Sequence, residues 1–340
     1  MINNQTKTNG FILSSVSLGF NTFACLISCI VFLIILYHLY YNHVKRVDQI
    51  TVVLCAHIYL EILIYSSLLI SMNIRSILGD LYNQSFGSSW CIFSGYLAII
   101  LLSMLYMNFL NQAFYRLIRI VYSQNRRLQS LKLYAFYRLI RIVYSQNRRL
   151  QSLKLYVILP FIELIIVTPI LLSVLIPVNA VIYLPNDHFC NTSSTNIPGV
   201  LWAAFVGYMC PLCCISFIYM YITRFIHRQG NIQILIIKQR QSRDLLIIRR
   251  ILIIVNLLLI LGIPGVVLTF MFIITGVEHP LLTRITYFPV SVSGAGLSVA
   301  LLFSIPPLKN IVLNLLTTKT VTPVNQVVRG TVQMKTITRT

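Results

Sequence analysis

Seven stretches of this chain are long and apolar enough to leave it very few architectures: residues 18–41, 51–74, 91–114, 156–178, 200–226, 247–275 and 285–305. About 20 helical residues cross a hydrocarbon core of about 30 Å, and each stretch reaches that length. Lipid offers backbone N–H and C=O groups no partner, so a spanning segment must satisfy them internally, as a helix does. Composition agrees, because the 340 residues are 57% hydrophobic and 10% charged, against roughly 25% charged in soluble domains. The expected fold class is all-α, a seven-transmembrane helix bundle over residues 18–316, with an extracellular segment 1–17 before it and a cytoplasmic tail 317–340 after it. The first stretch is too long for a removable signal and lacks its usual basic leader and cleavage site, which makes it the first span.

An odd number of spans puts the termini on opposite faces, and the 27 Lys and Arg residues decide which. The connection after span one carries Lys45 and Arg46, that between spans three and four carries ten basic residues, the segment from Arg224 to Arg250 seven, and the tail from Lys309 five. Only Lys7, Arg75 and Arg284 fall on the other face. The positive-inside rule then predicts an outside N-terminus and a cytoplasmic C-terminus, in a multi-pass plasma-membrane protein. The formal charge of +20 is thus a topology signal whose first partner is anionic membrane lipid of the inner leaflet. No soluble module accompanies it, which argues against nucleic acid. Glycosylation sequons at Asn4, Asn83 and Asn191 all fall in segments that the charge count independently places outside.

Of eight cysteines, Cys25, Cys29, Cys55, Cys210, Cys213 and Cys214 lie within apolar stretches, where a thiol acts as a small hydrophobe. Cys91 opens span three and Cys190 sits in the outer connection between spans four and five, so both face an oxidising compartment. A bridge between them would pin that connection over the mouth of the bundle; two unpaired outer thiols are the alternative.

Seven spans, an outside N-terminus, and a cysteine atop span three matched by one in the second outer loop resemble the rhodopsin-like G-protein-coupled receptors. That family's span-three arginine, twenty-five residues after the cysteine, falls on Arg116. Its span-five proline and following tyrosine fall on Pro211 and Tyr219, its span-six proline on Pro264, and an acid twenty residues earlier on Asp244. The resemblance implies a receptor that carries an extracellular ligand signal to a heterotrimeric G protein as helix six moves relative to helix three. Arg116 and Asp244 would form an inner latch, or be merely interfacial charges. The departures mark a divergent member: Tyr115-Arg116-Leu117 replaces acid–arginine–tyrosine, Gly262 stands at the aromatic toggle, and no asparagine–proline–tyrosine motif follows Pro306.

Residues 113–134 and 135–156 are one 22-residue phrase written twice without a change. The helix behind Arg116 runs back to Cys91, whereas its twin Arg138 has a connecting loop behind it. The first copy therefore finishes span three and the second leads into span four. One unit is surplus, with no separate function expected; the alternative is a basic second inner loop lying on the membrane.

Ionisable groups within spans are usually functional, which singles out Glu61, with His57 one turn away, as a polar cluster for a cation, a proton or ligand. A neutral, hydrogen-bonded glutamic acid is the equal alternative for Glu61 and the favoured one for Glu163. The outer halves of the spans offer Tyr96, Ala98, Leu102, Trp202, Phe205, Val266, Thr269, Tyr287 and Phe288 as a largely apolar ligand pocket. With Ala98 seven residues below Cys91, no span-three acid awaits an amine, so a small amine ligand is disfavoured. The eight threonines of the tail are candidate sites for a receptor kinase and arrestin-type partners. There is no H-E-x-x-H or G-x-S-x-G constellation, so neither enzyme, cofactor nor metal is expected. The rival class is a heptahelical transporter or ligand-gated channel, but seven spans do not divide into the paired repeats common in transporters.

Overall fold

The computed structural model describes residues 4–41, 46–125, 153–193, 195–229, 267, 270–272, 274–276 and 281–304. Four helices come first: α1 (Asn4–Tyr40), α2 (Arg46–Tyr82), α3 (Ser89–Asn125) and α4 (Leu153–Leu175). A hairpin of β1 (Val181–Leu184) and β2 (Phe189–Thr192) follows. Span five is built from α5 (Ile197–Ala204), a π-turn (Phe205–Met209) and α6 (Cys210–Gln229); α7 (Leu282–Ser304) forms span seven. Among the described residues, six helices are long and apolar enough to cross a membrane. The remaining apolar stretch, 247–275, lies almost wholly outside the described residues, as do Asp244, Gly262, Pro264, Val266 and Thr269.

The helices follow the expected spans but overrun them. Helix α1 starts at Asn4, so most of segment 1–17 continues the first helix rather than forming a separate tail. Its buried positions Gly10, Ser14 and Ser17 recur at three- to four-residue spacing and form one packed face. The opposite face, with Ile12, Val16, Phe23, Leu26 and Ile30 exposed, suits lipid.

Helix α1 packs on α2 and α7, α2 on α3, and α3 on α4, α6 and the hairpin. Because lipid is as apolar as leucine, such contacts depend on close packing and buried polar pairs. The inner core is tight around Tyr59, Ile58, Ile215, Tyr219 and Ile222, all fully buried. Polar ties cross it: Tyr59 Oη donates to the Ser298 carbonyl at 2.8 Å, linking α2 to α7, and Asn21 Nδ2 donates to Ser291 Oγ at 3.0 Å, linking α1 to α7.

Pro211 explains the π-turn in span five. A proline ring crowds the carbonyl four residues before it and donates no hydrogen bond. The backbone widens just ahead of it, with the Cys210 N–H bonded to the Phe205 carbonyl. Gly207 in that turn lies so close to α3 that a Cβ would stand 2.5 Å from Ser103 Oγ.

The hairpin was not anticipated from sequence. Its register pairs Ile182 with Asn191 and Tyr183 with Cys190, and Cys190 is disulfide-bonded to Cys91. Side chains alternate along a strand, so with Cys190 turned to α3, Phe189 and Asn191 both face Tyr287 on α7.

Candidate functional site

Two polar assemblies lie at different levels of the bundle. At the end that carries the hairpin, Arg284 of α7 is buried and makes four hydrogen bonds. Its Nη1 and Nη2 donate to Asp80 of α2 at 2.5 and 3.0 Å, its Nε to Asp187 of the hairpin tip at 3.1 Å, and Nη2 also to the Asn186 carbonyl at 2.9 Å. Asp80 and Asp187 are themselves buried, and Ser76 Oγ donates to the Asp187 carbonyl at 2.6 Å. A Cβ on Gly10 would meet Arg284 Nη1 at 2.6 Å, so α1 leaves this space to the guanidinium. A cavity of about 20 Å³ below Arg284, edged by Ser14, Ser17, Asn73 and Ser291, has room for about one water.

His188 completes the junction. It adopts a left-handed backbone with φ 60, and its ring lies on α2 where Gly79 has no side chain. A Cβ there would stand 2.1 Å from the imidazole Cγ. Its Nε2 is 3.7 Å from Asp80 Oδ1. Burial on α2 holds the imidazole below its ordinary value; Asp80 and the Gln84 backbone oppose this, while Arg284 and Lys7 add to it.

From its middle toward the end away from the hairpin, α3 presents a ladder of amides to its neighbours. Asn108 Nδ2 donates to Glu61 of α2 at 2.5 Å, Asn111 Nδ2 donates to Glu163 of α4, and Gln112 Nε2 meets Cys55 Sγ at 3.4 Å. Below them Arg116 lies near Tyr219 of span five and Cys55 of α2, but Arg116 Nη1 and the buried Tyr219 hydroxyl make no hydrogen bond. Tyr115, where the resembled family carries an acid, packs edge-on against Tyr156 at 5.4 Å.

These placements sort the residues singled out in the sequence. Cys91 and Cys190 come together, as do Arg116 and Tyr219. Glu61 pairs with Asn108, whereas His57 faces the backbone of Tyr156; one helical turn between them does not make a cluster. The supposed pocket disperses. Ala98, Leu102 and Tyr287 pack together with Phe189. Tyr96 and Trp202 turn to α4, bonding the carbonyls of Leu175 and Ile170 at 3.4 and 3.3 Å. Phe205 is 62% exposed on the lipid side, and Phe288 packs edge-on against Phe20 of α1. Of the sequons, Asn83 is exposed and accepts from Lys7 Nζ at 2.9 Å, whereas Asn191 Oδ1 accepts from Tyr287 Oη at 3.0 Å; Asn4 opens α1.

The outer junction escaped the sequence reading. The available signal was that Asp80 and Asp187, two of only seven acids in the chain, flank the outer face on which Arg284 was expected.

No protein-family model matches this sequence, and no curated protein matches it either. Among solved structures, the chain is similar to the crystal structure of squid rhodopsin, with a TM-score of 0.60 and 12% identity over 88% of this chain and 85% of that one. The described residues thus share the fold of that rhodopsin, an all-α membrane bundle, at a much diverged sequence.

Proposed function

We propose that this chain is a plasma-membrane receptor, its N-terminus outside, that passes the binding of an extracellular ligand to a heterotrimeric G protein as span six moves relative to span three. The observation that carries the proposal is the position of Arg116 within a rhodopsin-like fold. It stands at the inner end of α3, where its long stem lies along the helices and its guanidinium lies near Tyr219. The carboxyl–amide pairs Glu61–Asn108 and Glu163–Asn111 brace α3 against α2 and α4.

On this reading Arg116 contacts the G protein or its own latch, and Asp244 holds it at rest. The outward face carries glycan at Asn83. The ligand enters beside Tyr287 and Phe189 and is not a small amine held by span three. Kinase and arrestin partners act on the tail threonines, and anionic lipid meets the basic inner connections.

The test is nucleotide exchange on purified G proteins with the receptor in lipid discs. Asp244→Ala is expected to raise basal exchange and Arg116→Ala to abolish it. Ligand-evoked current in cells with no G-protein exchange would instead identify a channel. An epitope at residue 2 that stains only permeabilised cells would overturn the orientation.

A further inference from the structure

Outside the spans, the hairpin tip seats an ionisable ring among fixed charges. Residues 185–188 are held to α2 and α7 by the Ser76 bond to the Asp187 carbonyl, by Arg284 on Asn186 and Asp187, and by the His188 ring on Gly79. We propose that His188 is an extracellular proton-binding site whose occupation releases the hairpin tip from α2.

The groups facing the ring come from every element packed around it. Asp80 approaches from α2, Arg284 from α7, Lys7 from α1, and the Gln84 backbone from the segment after α2. Asp187 is its neighbour in the tip, with its carboxylate engaged by Arg284 Nε. Among the described residues, Asp80 is the one carboxylate close to the ring, at 3.7 Å, and it favours an imidazolium. Both of its oxygens take bonds from Arg284, which Asp187 shares, so the charge of Asp80 is partly offset. A proton on the ring would place a positive charge on a seat against α2, beside one guanidinium and in the field of an ammonium. Desolvation on that seat is the largest effect and disfavours the charged ring, Arg284 and Lys7 add to it, and Asp80 and the Gln84 backbone oppose it without reversing it.

The direction of the effect follows by linkage. In a released tip the ring is in water, with an ordinary value of about 6.5. Docked, it is held lower. The released form therefore binds the proton more tightly, and docking is at full strength above the ordinary value and weakens as pH falls through it toward the docked one. The Cys91–Cys190 bond keeps β2 on α3, so release is confined to the tip. Acid would loosen the strap over the outer mouth without unfolding the loop. This goes beyond the receptor reading and does not depend on G-protein coupling.

The test is hydrogen–deuterium exchange of the full chain in lipid discs near pH 7.5 and pH 5.5, corrected for intrinsic exchange. The reporters are the Asp187 and His188 amides, both bonded to the Leu184 carbonyl when the tip is docked. Acidification is expected to speed their exchange about threefold or more, and His188→Gln to remove that response. Should that variant fail to fold, Gly79→Ala fills the seat and is expected to give fast exchange at both pH values. Equal exchange at both pH values in the unaltered chain, or an acid response that persists in His188→Gln or Gly79→Ala, overturns the proposal. No G protein is present, so the result stands whether or not the receptor reading does.

Discussion

Arg284 draws its bonds from stretches of chain 97 and 204 residues away, and little water reaches any of the three charges it joins. Leaving one partner of such a buried pair alone costs about 3–5 kcal/mol. Arg284→Ala should therefore lower the melting temperature sharply in a thermal unfolding assay. Asp187→Asn, which leaves both Asp80 bonds in place, should lower it far less. The inner acids behave differently. Glu61→Gln keeps a carbonyl oxygen for Asn108 Nδ2 and should melt close to the parent chain. Glu61→Leu forfeits an interhelical hydrogen bond of about 0.6–2 kcal/mol and should melt lower. Equal melting of the two variants would mean that the Asn108 contact contributes nothing.

At the level of single elements, the sequence was informative wherever one helix decided the answer. Span positions, the helical run from Cys91 to Arg116 and the proline of span five were all legible, because apolar length and spacing along one helix carry them. Which way the residues of the expected pocket turn was not, since that depends on the rotation of each helix about its own axis. The π-turn changes that rotation within span five: Phe205 at its start is exposed, while Tyr208 three residues on packs edge-on against Tyr106 of α3 at 5.1 Å. No residue count along a regular helix anticipates that change. The hairpin was missed for another reason: its strands Val181–Leu184 and Phe189–Thr192 are only four residues each, too short for an alternating pattern to stand out beside the long apolar spans. Gly207 gives a direct check on the turn. Gly207→Ala pushes a methyl toward Ser103 Oγ and should destabilise the chain by about 1–3 kcal/mol. Adding Ser103→Ala removes the obstructing oxygen and should recover most of that loss, a coupling that a double-mutant cycle measures.

For the molecule as a whole, the number of spans and the bundle architecture were the most secure part of the sequence reading, because lipid leaves a backbone so few alternatives. The duplicated phrase joins that architecture at both of its ends: residues 113–125 finish α3 and residues 153–156 open α4. The Tyr115–Tyr156 contact closes the inner end of the pair, and Tyr134, the twin of Tyr156 in the first copy, can supply the same ring. Deleting residues 135–156 should leave cell-surface expression unchanged, as read by an outer epitope; retention of the shortened chain inside the cell would show that the second copy is needed for folding. A last consequence attaches to Asn191, whose amide oxygen is engaged by Tyr287 once the loop has closed. On the orientation proposed, oligosaccharyl transfer in the secretory pathway must reach this asparagine while the nascent loop is still open. The fraction of mature chains bearing sugar there would then record how often the transferase outran closure of the mouth, a molecular timestamp legible by mass spectrometry of a single glycopeptide.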